Sequence, residues 1–128
     1  GDAPKVAAQN TALSDVTLIC SGKFYCNDGC STTVSAFPIT DAIVTIAGDS
    51  SKVTVESSTY LFGEYKIIEE KDTELVIYNS GKDWDEPKGD AVGTLNRFSG
   101  ELEINNLPMK ANLEFTLNMG CERKEKMF

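Results

Sequence analysis

Four kinds of side chain in this sequence are able to support chemistry or recognition: cysteines, a tryptophan among acids, a rare arginine and scattered carboxylates. The sequence contains no histidine. Ser-His-Asp and Cys-His nucleophile systems are therefore excluded, and so are His-based metal sites. No glycine-rich phosphate-binding loop occurs either. We expect no catalytic residues, no cofactor and no metal, and we interpret the protein as non-enzymatic.

The four cysteines predict two disulfides. Cys20 and Cys121 each lie in the inward phase of a predicted strand, the first and the last, because side chains two residues apart share a face. Cys26 and Cys30 flank Asn-Asp-Gly, a turn sequence that brings two sulfurs close together. We therefore favour the pairs Cys20–Cys121 and Cys26–Cys30. The alternatives are four free thiols in a cytosolic protein and a zinc site, which lacks the usual C-x2-C spacing.

Disulfides indicate an oxidising compartment. Residues 1–14 are small and polar, as is typical of a mature N-terminus from which a signal peptide has been removed. We therefore expect a secreted or periplasmic protein. Its predicted organisation is a flexible N-terminus over residues 1–14 followed by a single β domain over residues 15–128. No apolar run approaches the roughly 18 residues of a membrane-spanning helix.

An acidic loop, residues 83–90, contains the only tryptophan of the chain, Trp84. Residues 64–90 hold nine acids and four lysines, a net charge of −5 (4 − 9) out of −8 for the whole chain. This charge attracts a cationic partner and repels nucleic acid, and Trp84 would anchor such a partner. Trp84 packed over one end of the fold is the alternative. The candidate binding acids beside it are Asp83, Asp85 and Glu86.

The same loop begins with Asp-x-Asp, which offers oxygen ligands to calcium but lacks the full spacing of a calcium loop. Elsewhere, a glycoside hydrolase would need two carboxylates roughly 5–10 Å apart across a cleft. Most carboxylates of this chain instead fall in turns or opposite the apolar face of a predicted strand. Solvated surface acids are therefore the favoured interpretation of Glu56, Glu101, Glu103 and Glu114.

Arg97 is one of two arginines, and it shares a strand phase with the apolar Leu95. An arginine on an inward phase needs a carboxylate partner or a polar lumen, because a buried unpaired charge is costly. Two roles follow from this position. Arg97 forms either a structural ion pair or a binding group that orients a ligand inside a barrel.

The elements that must position these residues are predicted to be β-strands. Strict alternation of apolar and polar residues over 52–56, 101–105 and 112–119 is typical of half-buried antiparallel strands. Turn sequences separate such runs at short intervals, giving about eight strands in hairpin succession. We predict an all-β fold, a small antiparallel meander barrel of the lipocalin-like or streptavidin-like kind, with a β-sandwich as the alternative. A bridge between the first and last strands favours the barrel.

Three segments together resemble small exported bacterial all-β proteins of unassigned function. They are Leu18-Ile19-Cys20-Ser21-Gly22, the run G-x-L-N-R-x-[ST]-G within residues 93–102, and the closing Cys121 followed by Met127-Phe128. The resemblance implies export and a β fold, and it brings no catalytic residues. The architecture is also similar to that of periplasmic lysozyme and protease inhibitors, by analogy of fold alone.

We therefore expect a non-catalytic binding module, an inhibitor of a basic protein such as lysozyme that binds through the acidic loop. The first alternative is a carrier of a small apolar ligand inside the barrel. Its predicted lumen is lined by inward residues of the last strand and by aromatic residues. The second alternative is a weak carboxylate-dependent glycoside hydrolase. The lumen residues of the carrier hypothesis are Leu113, Phe115, Leu117, Tyr60, Phe62 and Tyr65.

Overall fold

The fold is a closed antiparallel barrel. The computed structural model describes residues 14–30, 36–82, 89–109 and 112–124, which form eight strands. Each strand pairs with the next, and the last pairs with the first. The predicted meander barrel is thus confirmed, and the sandwich alternative is wrong. The strands are β1 (Val16–Asp28), β2 (Ala36–Ile46), β3 (Lys52–Glu56), β4 (Leu61–Glu70), β5 (Glu74–Asn79), β6 (Ala91–Asn96), β7 (Glu101–Asn105) and β8 (Glu114–Arg123).

The predicted alternation of side chains places the core inside the barrel. In β7, Leu102 and Ile104 are fully buried, whereas Glu101 and Asn105 are exposed. The same period holds in β3 and β8, because successive side chains of a strand point to opposite faces. Large side chains from several strands meet in the middle of the barrel and fill it. They include Tyr65, Phe62, Ile77, Leu102, Leu117 and Met119.

The two disulfides have different positions in the barrel. Cys20 lies directly opposite Cys121 in the β1–β8 register, with their Cα atoms 4.1 Å apart, and their bridge clamps the first strand to the last. Both residues are buried. The Cys26–Cys30 bridge closes a turn at the end of β1, where Gly29 adopts a positive φ of 84°. These are the pairs that the strand phases and the turn sequence favour.

The two ends of the barrel are built differently. We call the end at which β1, β3, β5 and β7 finish the closed end, because aromatic rings fill it. The ring of Phe24 lies at its centre and contacts four other rings, with centroids 4.8–5.7 Å away. The four neighbours of Phe24 are Phe37, Tyr60, Phe62 and Phe115.

The other end, which we call the open end, carries the β2–β3, β4–β5 and β6–β7 turns, the start of β1 and the end of β8. No comparable ring cluster occurs there among the described residues. The inward side chains of the strand ends, such as Leu18 and Ile46, are only partly buried. The barrel therefore opens to solvent on this side.

Candidate functional site

A cavity of about 650 Å³ occupies the open end of the barrel. Its walls are the inward side chains at the ends of five strands, and Cys121 of the clamping disulfide contributes to the lining. Because these positions continue the inward phase of the core, the lower part of the cavity is apolar. The apolar wall residues are Val16, Leu18, Ile46, Leu75 and Leu95.

Charged side chains surround the mouth of this open-end cavity. Arg97 and Arg123, the only arginines of the chain, both line it, together with Glu70 and Glu122. The formal charge of these four groups sums to zero (2 − 2), whereas the whole chain carries −8. The mouth is therefore a neutral, mixed-charge region on an acidic protein.

The β6–β7 turn, residues 97–100, holds part of the mouth in place. The Oδ1 atom of Asn96 accepts hydrogen bonds from the backbone N–H groups of Phe98 and Ser99, both at 2.9 Å. Gly100 has a φ of 76°, and a Cβ atom there would clash with the carbonyl oxygen of Cys121. The carbonyl of Gly100 in turn accepts a hydrogen bond from Cys121 N–H at 2.9 Å. The N-R-x-[ST]-G part of the motif thus builds a turn that docks on β8 beside the disulfide.

The structure places Arg97 in this turn rather than in a strand. β6 ends at Asn96, so Arg97 does not lie inside the barrel; it reaches the mouth of the cavity with its side chain 44% exposed. The Nη1 atom donates to the carbonyl oxygen of Lys71 at 2.9 Å and lies 3.9 Å from Oε1 of Glu70. An ion pair this long between half-exposed groups contributes little to stability. Arg97 therefore joins the β6–β7 turn to the β4–β5 turn mainly through its hydrogen bond.

Two residues of the mouth were not singled out from the sequence. Phe98 is 81% exposed, the most exposed of the large apolar side chains described, and it borders the cavity. Arg123 lies two residues beyond Cys121 in β8 and pairs in register with Leu18. Continuing the inward phase of Cys121 by two residues would have pointed to Arg123. Phe98 carried no such signal, because its phase in the sequence is that of an ordinary strand residue.

The predicted binding residues of the acidic loop, Asp83, Trp84, Asp85 and Glu86, lie outside the described residues. Their part in binding therefore stays a prediction.

Asp90, the last residue of the acidic loop, is held by hydrogen bonds at the closed end. The hydroxyl of Tyr78 donates to Oδ1 of Asp90 at 2.8 Å, and Nδ2 of Asn106 donates to the Asp90 carbonyl, also at 2.8 Å. The hydrogen bond to Asp90 raises the pKa of Tyr78, since ionisation would remove the donor.

The surface carboxylates do not converge on a described site. Glu56, Glu101 and Glu114 are exposed, and Glu103 is half-buried on an outer face. Within residues 14–30, 36–82, 89–109 and 112–124, no group of three or more acidic or cysteine side chains is arranged to hold a metal ion. In the same residues, no helix has the length and apolar character of a membrane span.

No protein-family model matches the chain, and neither curated proteins nor solved structures include a match to it. The resemblance to exported bacterial proteins therefore stays a prediction.

Proposed function

We propose that this protein is a non-catalytic binding protein and that a small ligand enters the open-end cavity of its barrel. The observation that carries the proposal is an apolar-walled concavity of about 650 Å³ beneath two arginines. Ligand sites of proteins are typically concave, largely apolar and about 300–1,000 Å³ in volume, with a few polar groups that orient the ligand. We therefore place the ligand of the carrier hypothesis at the open end of the barrel, because core side chains fill the middle of the barrel.

The surroundings of the cavity favour a site that exists before the ligand arrives. The β6–β7 turn is held by hydrogen bonds to Asn96 and to β8, and β8 is bridged to β1 by the disulfide. A preorganised wall costs little ordering entropy when a ligand binds. Each apolar Å² that the ligand removes from water then contributes about 25 cal/mol.

A single large side chain on β6 tests whether the cavity is the site. Leu95 points into the cavity, whereas Val92 lies on the outward phase of the same strand and is 42% exposed. We expect the neutral fluorescent probe N-phenyl-1-naphthylamine to bind the protein saturably. Leu95→Trp should fill the cavity and abolish this binding, and the matched control Val92→Trp should leave it unchanged.

Two results would contradict the proposal. One is a folded Leu95→Trp protein that binds the probe as well as the unmodified chain does. The other is the absence of saturable binding of any apolar probe to the unmodified chain. Thermal melting of each variant separates a filled cavity from a damaged fold.

A basic protein bound through the acidic part of the surface is a second candidate function. The carboxylates of Glu64, Glu69 and Glu70 are 48–61% exposed, and their ion pairs are long, at 3.7–3.9 Å. They belong to the segment 64–90, which carries most of the net negative charge. Such weakly paired surface carboxylates remain available to a cationic partner, whose association they would accelerate at low salt.

Lysozyme is a suitable cationic probe for this second candidate. We expect excess protein to inhibit lysozyme at low ionic strength and the inhibition to weaken as salt screens the charges. Absence of inhibition at low salt would exclude lysozyme as the target of the acidic surface. For either candidate we propose a secreted or periplasmic location, with which two disulfides are compatible.

A further inference from the structure

We propose that the ligand of the open-end cavity is a small amphipathic anion, an apolar body with one carboxylate, whose carboxylate is bound by Arg97 and Arg123. This inference rests on the proposed function and adds the chemical class of the ligand. It follows from where the arginines lie, what they contact, and how charge and apolar surface are layered in the cavity.

The distribution of basic side chains over the molecule is selective. The chain has ten lysines (12 basic residues less two arginines), and none of those within the described residues lines the open-end cavity. Both arginines do. A guanidinium presents a planar fork of N–H donors that matches the two oxygens of a carboxylate, whereas an ammonium acts as a point charge. The cavity therefore has the cation suited to binding a carboxylate in a defined orientation.

The guanidinium groups lie at the mouth of the cavity, and the apolar side chains lie deeper. Arg123 lies two residues beyond Cys121 on the inward phase of β8, and Arg97 lies in the turn that follows β6, two residues beyond Leu95. Both arginines are thus placed at the mouth, outside the apolar layer. Apolar side chains thus lie below and guanidinium groups above. A molecule with an apolar body and an anionic head reproduces this order.

The two guanidinium groups retain donors for a ligand. In the described residues, both side-chain contacts of Arg97 use its Nη1 atom, and the contact to Glu70 is long at 3.9 Å. No carboxylate of the described residues lies within 4.0 Å of Arg123. A ligand carboxylate would therefore gain charge-assisted hydrogen bonds and would displace at most one weak ion pair.

Three eight-carbon probes that differ only in the head group test the inference. Octanoate, 1-octanol and octylamine are titrated against the protein in competition with the neutral naphthylamine probe, at a pH near 7. We expect octanoate to bind at least tenfold more tightly than 1-octanol, and octylamine to bind no more tightly than 1-octanol.

Two neutralising variants assign the effect to the arginines. Arg123→Gln and Arg97→Gln should each weaken octanoate binding about tenfold and leave 1-octanol binding unchanged. Lys52→Gln removes the same charge from a half-exposed position outside the cavity and should change neither. Arg97→Lys keeps the charge but not the fork, so it should also weaken octanoate binding. Because Arg123 has no described ion pair to lose, its variant tests the idea even if replacing Arg97 disturbs the turns.

Each outcome has a distinct meaning. Equal binding of octanoate and 1-octanol, with no effect of the arginine variants, would overturn the anionic ligand but leave the cavity as the binding site. Preference for octylamine would also overturn it, since Glu70 and Glu122 would then select the head group. If no probe binds, or if Leu95→Trp binds all of them unchanged, the proposed function fails together with this inference.

Discussion

The closed and open ends of this barrel are built from the same eight strands but differ in the side chains that fill them. At the closed end, Phe24 packs against four other rings. At the open end, partly buried aliphatic side chains border a cavity of about 650 Å³ under two arginines. Strand phase alone does not distinguish the ends, because inward positions are apolar in both. What differs is the size of the side chains in the last inward layer and the charge placed just beyond it.

Under the proposed function, the closed end supplies stability and the open end binds the ligand. Large rings remove apolar surface from water and exclude a ligand from the same space. Smaller side chains at the open end leave that surface partly hydrated, and the disulfide and the hydrogen-bonded β6–β7 turn tie neighbouring parts of the wall together instead. The following substitutions test this division.

Phe24→Ala should cause the largest loss of stability. Phe24 is 3% exposed and lies at the centre of the ring cluster, so its truncation leaves a cavity among its neighbours. Such replacements cost about 3–5 kcal/mol. Urea unfolding followed by circular dichroism measures the change. A loss below about 1 kcal/mol would mean that the closed end does not supply the main stability of the barrel.

Removing the Cys20–Cys121 bridge should have the next largest effect. In the chain-entropy model a bridge that closes a loop of about 100 residues contributes up to about 4.7 kcal/mol, and native bridges typically contribute about 2–4. The double variant Cys20→Ala/Cys121→Ala is compared with Cys26→Ala/Cys30→Ala, for which the same model gives about 2 kcal/mol. Equal melting temperatures of the oxidised and fully reduced protein would show that Cys20 and Cys121 are not paired in solution.

Tyr65 lies near the middle of the barrel, and Tyr65→Phe should reduce stability less than either of the preceding changes. The buried hydroxyl of Tyr65 donates to the Phe62 carbonyl at 2.6 Å, and deleting this hydrogen bond costs about 1 kcal/mol. Burial also raises the pKa of Tyr65 above that of an unfolded tyrosine, about 10. The folded state therefore keeps its full stability below pH 10 and loses stability as the pH rises toward the folded-state pKa.

The loss of stability at alkaline pH should be smaller in Tyr65→Phe than in the unmodified protein. Denaturant unfolding at pH 8 and pH 11 measures both losses. An identical dependence on pH in the two proteins would show that Tyr65 is not the group responsible.

Phe98→Ala should have the smallest effect on stability, within about 0.5 kcal/mol, because an exposed side chain loses little on truncation. The same substitution should weaken binding of the naphthylamine probe, since Phe98 borders the cavity. Comparing Phe98→Ala with Phe24→Ala therefore contrasts the open and closed ends of the barrel directly. A large destabilisation by Phe98→Ala would show that the open end is part of the folding core.

Much of the barrel follows from the sequence because alternation is a local signal. The pattern of residues 101–105 predicts β7 with the bounds that the structure has, and Cys20 and Cys121 fall in phases that face each other. The first strand is longer than the pattern at residues 15–20 indicates. A bulge between Cys20 and Gly22 shifts the register, and alternation read from one side of a bulge does not continue on the other.

The candidate site is harder to predict, because it depends on which strand ends meet and on how far each strand continues. Arg97 shares a phase with Leu95, but the side chain of Asn96 ends β6 and begins a turn. The sequence alone does not indicate whether the strand continues to Arg97 or ends at Asn96.

The position of the Cys20–Cys121 bridge also determines how the barrel responds to mechanical load. β1 begins and β8 ends at the same end of the barrel, so a pull on the two chain ends would peel these strands apart one hydrogen bond at a time. The bridge lies four residues into β1 and two residues before the end of β8, close to where peeling would start. In the oxidised protein the force therefore passes from β1 to β8 through a covalent bond. The 100 residues between the two cysteines (a sequence separation of 101, less one) carry none of it.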